Sequence, residues 1–153
     1  MTTVGLISDT HSLLRPEAIQ ALEEADLIVH AGDIGSIDVI DGLSAIAPVH
    51  AVRGNIDTGA WATKFPIEDV IEVEGKYLYV LHNRNEIDLD PAAAGFDVVI
   101  SGHSHKPGIA KVGGVLFVNP GSAGPRRFTL PIAIATLRIA SKTIEAKVQE
   151  LVA

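Results

Sequence analysis

Asp9 with His11, Asp33, Asn55, His82, and His103 with His105 share one setting: each follows a short apolar run within a few residues. In α/β sheets the carboxyl ends of strands are where ligands bind. Gathered there, these side chains offer two carboxylates, one amide oxygen and four imidazoles. That mixture suits borderline divalent ions such as manganese, iron, cobalt, nickel or zinc, and is too rich in nitrogen for calcium or magnesium. Each signal alone has a plainer meaning. An Asp after a strand often caps a turn or helix, and Gly54-Asn55 is a common turn dipeptide. Recurrence gives the pattern its weight: four of the six histidines fall at these strand ends. His30 and His50 lie within or at the end of strands and read as structural.

Around these residues the chain reads as one domain, 1–153, with apolar content for a single core. The net charge is −7 and the Lys and Arg residues are scattered, which argues against a face for long nucleic acid. A small phosphorylated substrate, its charge met by metals, stays compatible. There is no cysteine, so thiolate sites, disulfides and cysteine nucleophiles are excluded. No apolar run approaches the ~20 residues of a membrane span, and the cytoplasm is the expected location. The positive mean hydropathy leaves room for an apolar self-association face, so a homo-oligomer is compatible with the composition.

The elements that must position the ligands follow from periodicity. Val4 to Ser8, Leu27 to Val29 and Val49 to Val52 read as short buried strands. Pro16 starts a helix between the first two, with Ile19, Leu22 and Ala25 on its apolar face. Ser36 is the expected N-cap of a second, carrying Val39, Ile40, Leu43 and Ile46. This βαβαβ opening implies a parallel sheet with right-handed crossovers. The second half predicts a hairpin across Gly75-Lys76, a buried strand from Asp97 to Ile100, and a hairpin across Gly113-Gly114. A last strand alternates Ile144, Ala146 and Val148 with polar residues and pairs with Ile132 to Ile139. The class is α/β with parallel and antiparallel parts.

Asp9-x-His11, Gly32-Asp33, Gly54-Asn55-x-Asp57, His82 and Gly102-His103-Ser104-His105, in that order, resemble the motifs of the calcineurin-like metallophosphoesterases. The short length and Asn119-Pro120-Gly121-Ser122 look like the small bacterial and archaeal phosphodiesterase branch. The resemblance implies a four-layer α/β/β/α sandwich of two mixed sheets flanked by helices. It implies two divalent transition-metal ions, manganese first, with nickel, iron, cobalt and zinc as further fits. One would be held by Asp9, His11 and His105, the other by Asn55, His82 and His103, with Asp33 bridging. Such a pair, roughly 3.5–4 Å apart, ionises a shared water near neutral pH for in-line attack on phosphorus. With neutral imidazoles the centre keeps a charge of about +1, which attracts a phosphoester despite the acidic chain. Asp33, Asn55 and His103 would then be central to catalysis.

This chain departs from the family pattern in three places. Larger relatives carry a histidine after the Asn of the Gly-Asn motif as proton donor to the leaving oxygen; here that position is Ile56. Gly-His usually follows the ligand at His82, whereas here Asn83-Arg84-Asn85 follows it. Arg126 and Arg127 come after the Asn-Pro-Gly-Ser turn and, with Arg84, are the candidate phosphate-binding residues. Asp57 reads either as support that orients a ligand or as a plain helix or turn cap. Two other functions stay open beside phosphodiester hydrolysis. One is a non-catalytic scaffold, since the retromer subunit resembling this family binds proteins, although a scaffold has no need of all seven ligands. The other is a phosphomonoesterase.

Overall fold

The computed structural model describes residues 1–152. Strands β1 (Thr2–Ile7), β2 (Leu27–His30) and β3 (Val49–Ala51) lie parallel, in a register that sets Val4 opposite Leu27 and Ile28 opposite Val49. Helices α1 (Pro16–Ala21) and α2 (Ile37–Ser44) make the crossovers. Val52 falls just outside β3, yet its N–H still bonds His30 O at 3.1 Å, so the pairing runs as far as the sequence suggests. In α1 the buried residue is Ala18, with Leu22 just beyond the last turn; Ile19 is only half-buried. Ser36 stands at the N-cap of α2 without a side-chain cap bond.

The remaining strands split between two sheets. β4 (Glu68–Val73) and β5 (Lys76–Leu81) form the first expected hairpin, turning through Glu74 and Gly75, both at positive φ as a type I′ turn requires. β6 (Val98–Ile100) and β8 (Val115–Asn119) run parallel to β5, and β7 (Gly108–Val112) closes the edge as the second hairpin. This sheet has the order β4-β5-β6-β8-β7. β9 (Ala133–Ile139) and β10 (Ile144–Glu150) join the other sheet, whose order is β10-β9-β1-β2-β3. β9 is antiparallel to β1, with Gly5 opposite Thr136.

The two-residue side-chain period of a strand sorts the core into layers. Val4, Leu6, Val29, Leu78, Val98 and Leu137 meet between the sheets. Ile7 and Ile28 point the other way, onto Ala18, Leu22, Val39 and Leu43. Outside the second sheet, Tyr79, Leu81, Val99 and Val115 are covered by Ile87, Phe96 and Phe117. The flanking helix there is reduced to a single 3-10 turn, Arg84–Glu86. Two five-stranded mixed sheets flanked by helices are thus the architecture, with one outer layer thin. No helix among the described residues is long and apolar enough to cross a membrane.

Candidate metal centre

The loops after β1 and β2 run side by side, extending the parallel pair without a strand. Asp9 N–H bonds Gly32 O at 3.0 Å, His11 N–H bonds Asp33 O at 3.0 Å and Ser12 N–H bonds Ile34 O at 2.8 Å. The turns are tight. Among the described residues eight non-glycine positions have positive φ, and five are Asp9, His11, Asp33, His103 and His105. Left-handed backbone disfavours L residues, Asp and His least among the larger ones, and it clusters at functional sites. Two glycines make room. A Cβ on Gly54 would meet Asp33 Oδ1, and one on Gly102 would meet Ser8 Oγ and Asp9 Oδ2.

Asp9 is fully buried. Its Oδ2 accepts from Ser8 Oγ at 2.8 Å and from His103 N–H at 3.1 Å, tying the loop after β6 to the loop after β1. Its Oδ1 is buried with no hydrogen-bond partner. Around that oxygen stand His105 Nε2 at 3.4 Å, His82 Nε2 at 3.8 Å and His11 Nε2 at 4.0 Å. Asp33 Oδ1 accepts from Ile56 N–H at 3.2 Å. Asp33 Oδ2 faces His82 Nε2 at 3.2 Å and His11 Nε2 at 3.5 Å. His82 is oriented from behind: its Nδ1 donates to Ala31 O at 2.8 Å, so in the neutral ring Nε2 presents a lone pair to the carboxylates. Neither His82 Nε2 nor His11 Nε2 achieves hydrogen-bond geometry.

Buried acceptors that converge without donors need a cation between them. The donor atoms fall into two groups, Asp9–His11–His105 and Asp9–Asp33–His82, each compact enough to hold an ion. The site's electrostatics reflect the same crowding. Burial pushes the Asp33 carboxyl up, but His82, the Ile56 N–H and His11 outweigh it and hold the group at about 2. Burial pushes the His82 ring down, yet Asp33, Asp9 and the Ala31 carbonyl raise it above its ordinary value.

His103 lies outside these two groups, and both it and Asn55 are exposed. The His103 ring packs edge-on against His82, centroids 5.2 Å apart, and Asn55 lines a cavity with His82. Asp57 is buried and wholly engaged by backbone: Oδ2 accepts from Ile34 N–H (3.0 Å) and Gly54 N–H (2.8 Å), Oδ1 from Gly35 N–H (2.9 Å). It clamps the loops that carry Asp33 and Asn55. The three arginines are elsewhere. Arg84 lies over the Phe117 ring, 4.7 Å from its centroid, and the preceding Asn83 caps its 3-10 turn. Arg126 and Arg127 are exposed beyond Gly124, whose carbonyl takes two bonds from Arg15. None of the three lines the cavity; Arg53 does.

Several supporting residues escape a reading of strand ends. Asn119 Nδ2 donates to Gly102 O and Ser104 Oγ, both at 3.1 Å, fixing the His103–His105 loop. Ser122 Oγ donates to Asp9 O at 3.1 Å. Their signal was the Asn-Pro-Gly-Ser segment itself, which marks a turn but not what the turn touches. His30 is structural as expected: Nδ1 accepts from Gly32 N–H, Nε2 donates to Thr10 Oγ1, and the threonine hydroxyl donates to Ile34 O. His50 is exposed.

Residues 2–142 match the family model for the calcineurin-like phosphoesterase superfamily domain. The chain is 33% identical over 157 residues to a probable metallophosphoesterase of Methanothermobacter thermautotrophicus, covering 95% of this chain and 90% of that one. It is 28% identical over 137 residues to a phosphodiesterase of Methanocaldococcus jannaschii, covering 77% and 82% of the two chains. Among solved structures it is similar to an archaeal phosphodiesterase (TM-score 0.79, 25% identity, 96% and 99% covered). The Chaetomium thermophilum Vps29 shares the fold (TM-score 0.80, 19% identity, 98% and 97% covered). Sequence motifs, sheet architecture and converging donors agree, and the chain belongs to the calcineurin-like phosphoesterase superfamily.

Proposed function

We propose that the protein hydrolyses small phosphodiesters at a dinuclear centre of divalent transition metals, manganese first. Asp9, His11 and His105 hold one ion; Asn55, His82 and His103 hold the other; Asp33 is shared. The observation that carries this reading is that Asp9, its Oδ1 buried without a partner, belongs to two converging donor groups, one with His11 and His105, the other with Asp33 and His82. Two such ions supply Lewis acidity and lower the pKa of water toward neutrality. The chain's residues do the rest. Asp57 fixes the loops of Asp33 and Asn55, Ala31 O sets the His82 tautomer, and Ser8 with the His103 amide orients Asp9. The M. jannaschii relative's name supports diester over monoester substrates, as does Ile56, which cannot protonate a poor leaving group.

Protein loaded with manganese and desalted should carry two ions per chain by elemental analysis and hydrolyse bis-nitrophenyl phosphate. Asp33→Asn and His103→Ala should each lower kcat more than tenfold, about 1.4 kcal/mol or more of barrier, with the far-ultraviolet spectrum retained. A stoichiometry of one or zero would remove the dinuclear mechanism. Two ions without turnover would leave a metal-binding scaffold.

A further inference from the structure

A cavity of about 400 Å³ adjoins the second metal position, with Asn55 and His82 in its lining. Its volume is at the small end of ligand pockets, which run roughly 300–1,000 Å³. We propose that it binds the non-leaving substituent of the diester, and that this substituent is uncharged and bears hydroxyl groups. The inference rests on the phosphodiesterase reading and names the substrate class of that site.

Three charged side chains carry the argument: Arg53, Glu68 and Glu86 all line the cavity. No ion pair joins the arginine to either carboxylate. Among the described residues the Arg53 guanidinium makes no hydrogen bond, and its Nε is buried without a partner. Glu68 accepts from the Tyr79 hydroxyl, which leaves its other oxygen open. Glu86 has no side-chain partner. Asp57 also lines the space, but its oxygens are taken by three backbone amides.

Opposite charges facing one space without pairing leave both donors and acceptors for an occupant. An anionic substituent would be repelled by the two glutamates. A cationic one would be repelled by Arg53 and by the adjoining metals. A purely apolar one would desolvate all three charges with nothing in return. A hydroxyl donates to a carboxylate and accepts from a guanidinium at once, so a polyhydroxylated group such as a sugar or glycerol moiety meets both. Sites built to hydrogen-bond a substrate hydroxyl reject analogues lacking it, because their polar groups are left unpaired.

The test uses full-length, manganese-loaded protein and four diesters sharing a nitrophenolate leaving group. Their non-leaving chains are pentyl, 4,5-dihydroxypentyl, 5-aminopentyl and 5-phosphonopentyl. The dihydroxy ester should show kcat/KM about tenfold or more above pentyl, the scale of one or two hydrogen bonds to charged groups. The amino ester should fall below the dihydroxy ester, and the phosphono ester should be the poorest. Glu86→Gln should raise KM for the dihydroxy ester and narrow its advantage, while improving the phosphono ester. Arg53→Gln should selectively improve the amino ester. Glu86 is exposed and its carboxylate makes no hydrogen bond or ion pair, so its variant should fold as the parent does. Equal kcat/KM across the series, a preference for the amino ester, or ratios unmoved by both variants would overturn the inference alone. No turnover of even the pentyl ester would overturn the hydrolase reading and this inference with it.

Discussion

Ile56 sits 44% exposed beside the metal centre, gives its N–H to Asp33 Oδ1, and has no side-chain proton to give. In the proposed reaction this position gives the leaving oxygen no proton, and rate should depend steeply on leaving-group pKa. General-acid assistance is typically worth about 10²–10⁴-fold, so nitrophenyl diesters should outpace simple phenyl ones by about that factor. Ile56→His should flatten the plot of log kcat/KM against leaving-group pKa; a shallow slope in the parent would mean another group already supplies the proton. His30 makes a different prediction, on stability. Burial drives its pKa down to about 4, against the pull of Asp9 and Asp57. Its bonds fix the neutral ring, since Nδ1 already accepts from Gly32 N–H. Between pH 6.5 and 4 the unfolded chain binds a proton that the folded chain refuses, so the contribution of His30 is complete above 6.5 and is lost as pH falls toward 4. The loss should be on the order of 3 kcal/mol. Urea unfolding of the metal-free protein from pH 7 to 4.5 measures it, and His30→Gln should remove most of the slope. Asp33, held at about 2, acts only below about pH 3.8.

At the scale of elements, Asp57 joins what the strands leave apart. β2 and β3 end side by side, and the loops beyond them have no ladder of their own. Three amides converging on one buried carboxylate replace it. Asp57→Ala should destabilise the metal-free protein by roughly 2–4 kcal/mol, because it strands buried donors. It should also weaken manganese binding about 10–100-fold, the usual effect of losing support behind ligands. Thermal melts and calorimetric titration would check the two effects separately, and unchanged metal affinity would reduce Asp57 to a plain turn cap. How much of this was legible in the sequence follows from range. The βαβαβ opening and both hairpins are written in local signals: continuous apolar runs, a Pro at a helix start, Gly at turn positions. The candidate ligands stood out for the same reason, as polar residues after apolar runs, and the structure brings Asp9, His11, Asp33, His82 and His105 together. The division into two sheets came from the family resemblance and not from local signals, because strand partners such as β1 and β9 are set by long-range packing. Arg53 was missed because an arginine after a strand carries no periodic signal; only the cavity gives it meaning. Arg84 looked like a phosphate binder by sequence proximity to His82, but its turn carries it over Phe117.

On the scale of the whole molecule, the proposed metal ligands are divided between the sheets. Asp9, His11, Asp33 and Asn55 follow strands of one; His82, His103 and His105 follow strands of the other. β1 has a further consequence, which concerns the order of synthesis. It lies between β2 and β9, and β9 begins only at Ala133. As the chain leaves the ribosome, every proposed ligand has emerged by His105, yet the edge of β1 that pairs with β9 still has its backbone groups bare. Non-local pairing of this kind must wait for loop closure and leaves partly made chains prone to stick to one another. A fragment ending at residue 131 would contain all seven ligands and should neither melt cooperatively nor retain manganese through desalting. If it bound metal as the full chain does, the centre would be a local device. The expectation is that it is the last thing the chain completes, so that an unfinished or truncated copy never acquires a working site.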